Sequence, residues 1–221
     1  MKLFHKLMQL LFPPKCVLCR KLLTDEETDL CAQCRADTPD VPDLKRKLPY
    51  LAKWTSLWYY EGSVRSSILR YKFRGSRSYS GCYGRLLAIK LLQENMSFDI
   101  LTWAPISRRR KRSRGYDQVE LIGQALALEL GMPLTATLTK VRHNRPQSRL
   151  KDSAARRANV LGAYQVIDPA AVAGKRILLL DDILTTGATV SECAKTLLTA
   201  GANEVICATV AVASHQRHNS R

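Results

Sequence analysis

At 221 residues with 46% hydrophobic content, the chain can form the packed core of one substantial α/β domain plus a small module. Its 35 Lys and Arg against 19 Asp and Glu give a formal charge of +16, far from the near-balance of an ordinary metabolic enzyme. Such a field attracts polyanions: nucleic acid, an anionic membrane surface or phosphorylated small molecules. No run approaches the roughly 18 consecutive apolar residues of a spanning helix, which excludes a transmembrane segment.

Residues 1–44 make the first zone. "MKLFHKLMQLLFPPKC" sets Lys2 and Lys6 before a short apolar run, as a secretory signal would. Gln9 interrupts that run, no small-residue cleavage site follows, and Pro13 and Pro14 lead straight to a cysteine, so a signal is rejected. Leu3, Leu7, Leu10 and Leu11 fall at helical spacing and predict a short amphipathic helix, packed on its own protein or lying on a membrane surface. A cytoplasmic, reducing setting is therefore expected for the seven cysteines, and disulfides are not.

Cys16, Cys19, Cys31 and Cys34 form C-x2-C, eleven intervening residues, then C-x2-C. Each close pair can chelate through a turn, and four thiolates fill a tetrahedral zinc shell with no position left for a reacting water. A structural zinc is expected, with iron–sulfur ligation or a redox dithiol as alternatives. The absence of a βαβ pattern around either pair argues against a thioredoxin-like motif. Metal binding would supply much of the folding free energy of so small a module, and chelation is expected to unfold it while leaving the rest folded. Cys82, Cys193 and Cys207 read as buried small hydrophobes.

The Pro/Asp-rich stretch "DTPDVPDLKRKLP" reads as a linker into a second domain over 45–221. There, apolar and amphipathic runs alternate in the βαβ pattern of a mostly parallel sheet with helices on its faces. "DILTWAPI" (99–106) predicts a strand, followed by a basic loop and the helix "QVELIGQALALELG" stopped at Gly131. "RILLLD" (176–181) predicts a strand buried on both faces. Val190, Cys193, Ala194, Leu197 and Leu198 mark a helix face, Gly201 stands at its C-terminal stop, and "EVICATVAVA" is the next strand. The tail "SHQRHNSR" is polar and expected to fray.

The strand ending in Asp181 and Asp182 admits two functional readings. A Walker B strand would need a G-x-x-x-x-G-K-[ST] loop, and the sequence has none. The local reading keeps both halves of a ligand at one place. Thr185, Thr186, Gly187, Ala188 and Thr189 lead into a helix whose free N–H groups and dipole suit a phosphomonoester. The carboxylates suit vicinal hydroxyls, as on a ribose, or a hydrated Mg²⁺. The bland alternative is that a threonine merely caps the helix and the acids are turn residues.

Residues 177–189 resemble the phosphoribosyl-pyrophosphate (PRPP) signature of type I phosphoribosyltransferases. "FPPKCVLC", "YKFRG", "APISRRRKRSRGYDQ", "RPQSRL", "RRANVLGAY" and "VAGKRILLLDDILTTGATV" together resemble the ComF family, in which a four-cysteine zinc module precedes such a domain. The resemblance implies a Rossmann-like type I phosphoribosyltransferase domain behind a zinc-ribbon-like module. Asp181 and Asp182 would meet the ribose hydroxyls and Mg²⁺, and Thr185, Thr186, Gly187, Ala188 and Thr189 the 5′-phosphate. Residues 107–115, with Arg108, Arg109 and Arg110, would form the pyrophosphate loop, and 142–156, with Arg142, Arg145, Gln147, Arg149 and Arg156, a closing hood. The chain departs from the family pattern with Tyr116-Asp117 in place of Phe-Asn, and with Asn144.

These groups outnumber what a pyrophosphate needs. Arg70, Lys72, Arg74, Arg109, Lys111, Arg112 and Arg114 are the candidates for single-stranded DNA, with Tyr71 and Phe73 as stacking rings or, alternatively, core aromatics. Two classes of function follow: a PRPP-dependent transferase with an unidentified acceptor, or a DNA-handling protein, acting beside DNA-uptake or recombination proteins, whose PRPP site is a sensor or relic.

Overall fold

The computed structural model describes residues 13–38, 41, 46–142 and 153–214. The expected N-terminal amphipathic helix and nearly all of the polar tail lie outside them, as do Arg145, Gln147 and Arg149. In chain order the elements are α1 (Ala32–Asp37), β1 (Lys53–Tyr59), α2 (Gly62–Phe73), α3 (Tyr79–Gln93), β2 (Ile100–Trp103), α4 (Arg108–Arg114) and α5 (Gln118–Leu130). There follow β3 (Leu138–Lys140), α6 (Ser153–Val160), β4 (Tyr164–Val166), α7 (Pro169–Val172), β5 (Arg176–Leu184), α8 (Ala188–Thr199) and β6 (Glu204–Val212).

Four strands form a parallel sheet in the order β1-β6-β5-β2, while β3 and β4 pair antiparallel beside it. The apolar runs of β5 and β6 are buried on both faces, as a sheet covered by helices on each side requires. Alternate β5 side chains serve different layers. Leu178 and Leu180 pack with α2, α3 and α5, whereas Ile177 and Leu179 pack with α8 and the β3–β4 ribbon. Helices α3 and α5 approach closely because Gly84 has no side chain: a Cβ there would stand 2.6 Å from that of Ala125. Helix α5 ends at Gly131 in the left-handed region, as its sequence predicts. Cys193 and Cys207 are buried, and Cys82 is partly so.

Three features differ from the sequence reading. The basic loop is a helix, α4, capped by Ser107 and stopped by left-handed Gly115; without an apolar stripe it has no periodicity to reveal it. The stretch read as a linker is not a detached tether where it is described, since Val41 and Leu48 are buried in the second layer. The cysteine module is not separate either. Cys16, Val17, Leu18, Leu30, Cys31 and Cys34 share one core with α2, α3 and α5.

Candidate functional site

Strand β2 ends at Trp103, paired with Leu180, whereas β5 runs on to Leu184. From Asp181 onward, one edge of β5 is therefore no longer paired with β2, at the carboxyl end of the sheet where open α/β folds bind ligands. The acids lie inside the strand rather than after it, so strand alternation sends them to opposite faces.

Asp182 points into the α2–α5 layer. It is buried, pairs with the Lys72 ammonium at 2.9 Å and accepts from the Gln118 amide at 2.9 Å. Burial opposes its charge, and the Lys72 ammonium and these hydrogen bonds outweigh that, holding the carboxyl below its ordinary range. Asp181 points to the α8 side and accepts from the Asp182 N–H at 2.9 Å; among the described residues it makes no ion pair. Burial, then the Asp182 charge, push it up to about 7.

The following loop turns through Gly187, with φ of +82°, into α8. No side chain caps this helix through the Gly187 position, so its first N–H groups are open to a ligand, apart from Ala188 N, which reaches the Thr186 hydroxyl at 3.4 Å. A Cβ on Gly187 would lie 2.6 Å from Leu48 Cδ2. A cleft of about 170 Å³ is lined by Asp181, Thr185, Gly187, Ala188 and Thr189 among others.

On the Asp181 side stand residues that the sequence reading missed. Lys140, at the end of β3, donates to the Tyr164 hydroxyl of β4 at 2.8 Å. Burial, then the neighbouring Arg110 guanidinium, lower Lys140 to about 8. Arg46, from the stretch read as a linker, donates to the Thr185 carbonyl at 3.0 Å. Lys140 lies in a short strand beside the hood, and Arg46 is 139 residues from its partner, so neither carried a local signal.

The four cysteine sulfurs lie within 4.8 Å of one another, with Cys19 and Cys31 Sγ 3.6 Å apart. Thiolates around a tetrahedral zinc at about 2.3 Å stand about 3.8 Å from each other, so the quartet fits that ion. The Lys21 and Cys34 N–H groups point at the Cys19 and Cys31 sulfurs, which suits thiolate ligands.

Residues 120–221 match the family described as Phosphoribosyl transferase domain, and residues 7–44 that described as Double zinc ribbon domain. Competence protein F of Haemophilus influenzae is 24% identical, covering 86% of this chain and 93% of its own. Competence protein ComFC of Streptococcus pneumoniae is 27% identical, covering 86% and 96%. The DNA utilization protein YhgH of Salmonella typhi is 30% identical over 200 residues, 86% of each chain. The chain belongs to the ComF family.

In this ComF protein a type I phosphoribosyltransferase fold carries an N-terminal zinc ribbon, with the quartet as its structural zinc site. The family departure at 116–117 has a structural role. Asp117 caps α5 through the Val119 and Glu120 N–H groups, and its other oxygen accepts from Ile106 N at 3.0 Å. Its carboxylate is thus buried and turned onto backbone, and Tyr116 donates to the Tyr71 carbonyl.

Of the residues expected on a nucleic-acid face, Arg74, Arg109, Lys111 and Arg112 are exposed, as is Arg108 of the expected pyrophosphate group. Lys111 pairs with Glu120 at 2.7 Å. Two others turn inward. Lys72 holds Asp182, and Arg70 donates to the Val17 and Leu18 carbonyls, clamping the zinc ribbon to α2. Tyr71 is fully buried. Arg114 bonds Gln118 at 2.7 Å, and Arg110 is partly buried near Lys140. Arg142 donates to the Leu161 carbonyl at 3.0 Å, and Arg156 lies on α6. No described helix is long and apolar enough to cross a membrane.

Proposed function

We propose that this ComF protein binds PRPP with Mg²⁺ at the end of β5 and works in the cytoplasmic handling of DNA, beside proteins of DNA uptake or recombination. The observation that carries the reading is the adjacency of Asp181 to the open N-terminus of α8 behind Thr185, Thr186, Gly187, Ala188 and Thr189. The loop N–H groups and hydroxyls would take the 5′-phosphate. Asp181 would face the ribose hydroxyls and the hydrated cation, whereas Asp182 acts from behind, through Lys72 and Gln118. Arg110 and Lys140 would neutralise the pyrophosphate, with Arg108 and Arg109 at its approach, and residues 142–156 would close over it.

If transfer occurs, a bond forms from an acceptor to ribose C1 while the bond to pyrophosphate oxygen breaks, and the cations stabilise the departing charge. The second reading, a non-catalytic sensor that contacts single-stranded DNA, is favoured by the solvent-facing Arg108, Arg109 and Arg112, more cations than pyrophosphate requires. The relatives named for competence and DNA utilization support a role with DNA in either case.

Calorimetric titration with PRPP and Mg²⁺ tests the shared premise. The wild type should bind, and Asp181→Asn should weaken binding at least roughly tenfold, the scale of one lost charged contact. Absence of wild-type binding overturns the reading. Incubation with PRPP and candidate acceptors, followed by mass spectrometry, separates transferase from sensor.

A further inference from the structure

Lys72 and Phe73 close α2 in opposite environments: the ammonium is turned onto Asp182, while the neighbouring ring is 65% exposed. A single exposed apolar residue means little by itself. This one carries the Arg114 guanidinium 5.0 Å from its centroid. Arg114 is in turn held by Gln118 at 2.7 Å, and Gln118 donates to Asp182 at 2.9 Å. The exposed ring is thus tied by three side chains to the back of the acidic strand, and Arg74 and Arg112 lie exposed on the neighbouring elements.

We infer that Phe73 and Arg114 form a stacking platform for a nucleobase of a single nucleic-acid strand whose phosphates run along α4. The proposal rests on the DNA-handling reading above and deepens it. A ring with a guanidinium on one face offers its other face to any planar base, and flanking arginines suit the phosphates on either side. An acidic peptide would use the cations and ignore the ring. An anionic membrane would need an apolar face, yet no other large apolar side chain of α2 or α4 is exposed.

The test is fluorescence anisotropy of the full chain with a labelled 12-residue oligothymidylate and with an abasic deoxyribose-phosphate chain of equal length. The wild type should prefer the base-bearing strand, with steep salt dependence on both. Phe73→Ala should lower oligothymidylate affinity roughly tenfold, the usual scale of one lost base–aromatic stack. It should leave the abasic chain unchanged, and Phe73→Trp should restore the preference. Equal losses on both chains, no loss, or binding that passes instead to phosphatidylserine vesicles would overturn the platform. Displacement by thymidine monophosphate at equal nucleotide concentration would overturn the strand in favour of a free nucleotide. Calorimetric PRPP binding by Phe73→Ala should match wild type, which checks the fold and keeps failure here distinct from failure of the PRPP site.

Discussion

Asp181 and Asp182 are neighbours with different duties, and their surroundings set the difference. Lys72 and Gln118 compensate the charge on Asp182, so removing Lys72 would strand a buried carboxylate. Asp181 has no such partner, and its folded pKa stands near 7, above the unfolded value of about 3.9. The native state therefore holds the extra proton, and the stability this brings is present at low pH and declines as pH rises through about 7. Asp181→Asn escapes that decline. Its melting temperature should exceed that of wild type above about pH 7 and converge with it toward pH 4, while PRPP affinity falls. Melting curves across pH check this; equal offsets at every pH would contradict it. A site that binds a cation and sugar hydroxyls would thus carry a cost to stability when empty at neutral pH.

Among the elements, the β5–α8 turn concentrates the constraints. Gly187 occupies the left-handed region and lies against Leu48, so a side chain meets both backbone strain and a buried neighbour. The left-handed conformation alone costs a non-glycine residue about 1–2 kcal/mol. Gly187→Ala should lower the melting temperature by roughly 2–8 °C for a chain of this size, and weaken PRPP binding by displacing the loop N–H groups. Unchanged melting and unchanged affinity would mean that the turn does not shape the site. Helix α2 has the widest reach. Ser67 and Arg70 hold zinc-ribbon carbonyls, Tyr71 bonds the Gln118 carbonyl, and Lys72 holds Asp182.

At the scale of the whole molecule, that helix makes the zinc ribbon part of the α/β core. Arg85 pairs with Asp29 through two hydrogen bonds, and the ribbon's Val17 and Leu18 are buried among α2 and α3. Chelation is therefore expected to destabilise the sheet as well as the ribbon, contrary to the expectation of an independent module. Trp54, Trp58 and Trp103, the only tryptophans, all lie in β1 and β2 and report on the sheet directly. Their fluorescence melting transition should shift several degrees downward with chelator. A transition that does not move would restore the independent module.

The sequence by itself determined the features written in local spacing. Two C-x2-C pairs carried the zinc site, continuous apolar runs carried β5 and β6, and the acids, threonines and glycine of 181–189 carried the ligand loop. Tertiary structure alone decided which atoms face each other. Strand alternation separated the two acids, and packing turned Arg70 and Lys72 inward while leaving Phe73 outside. Folding also brought Arg46 to Thr185 and Lys140 to the side of Asp181. Local spacing fixes backbone conformation and ligand bite, but the partner of a long cation is set by which buried charge lies within reach once the layers close.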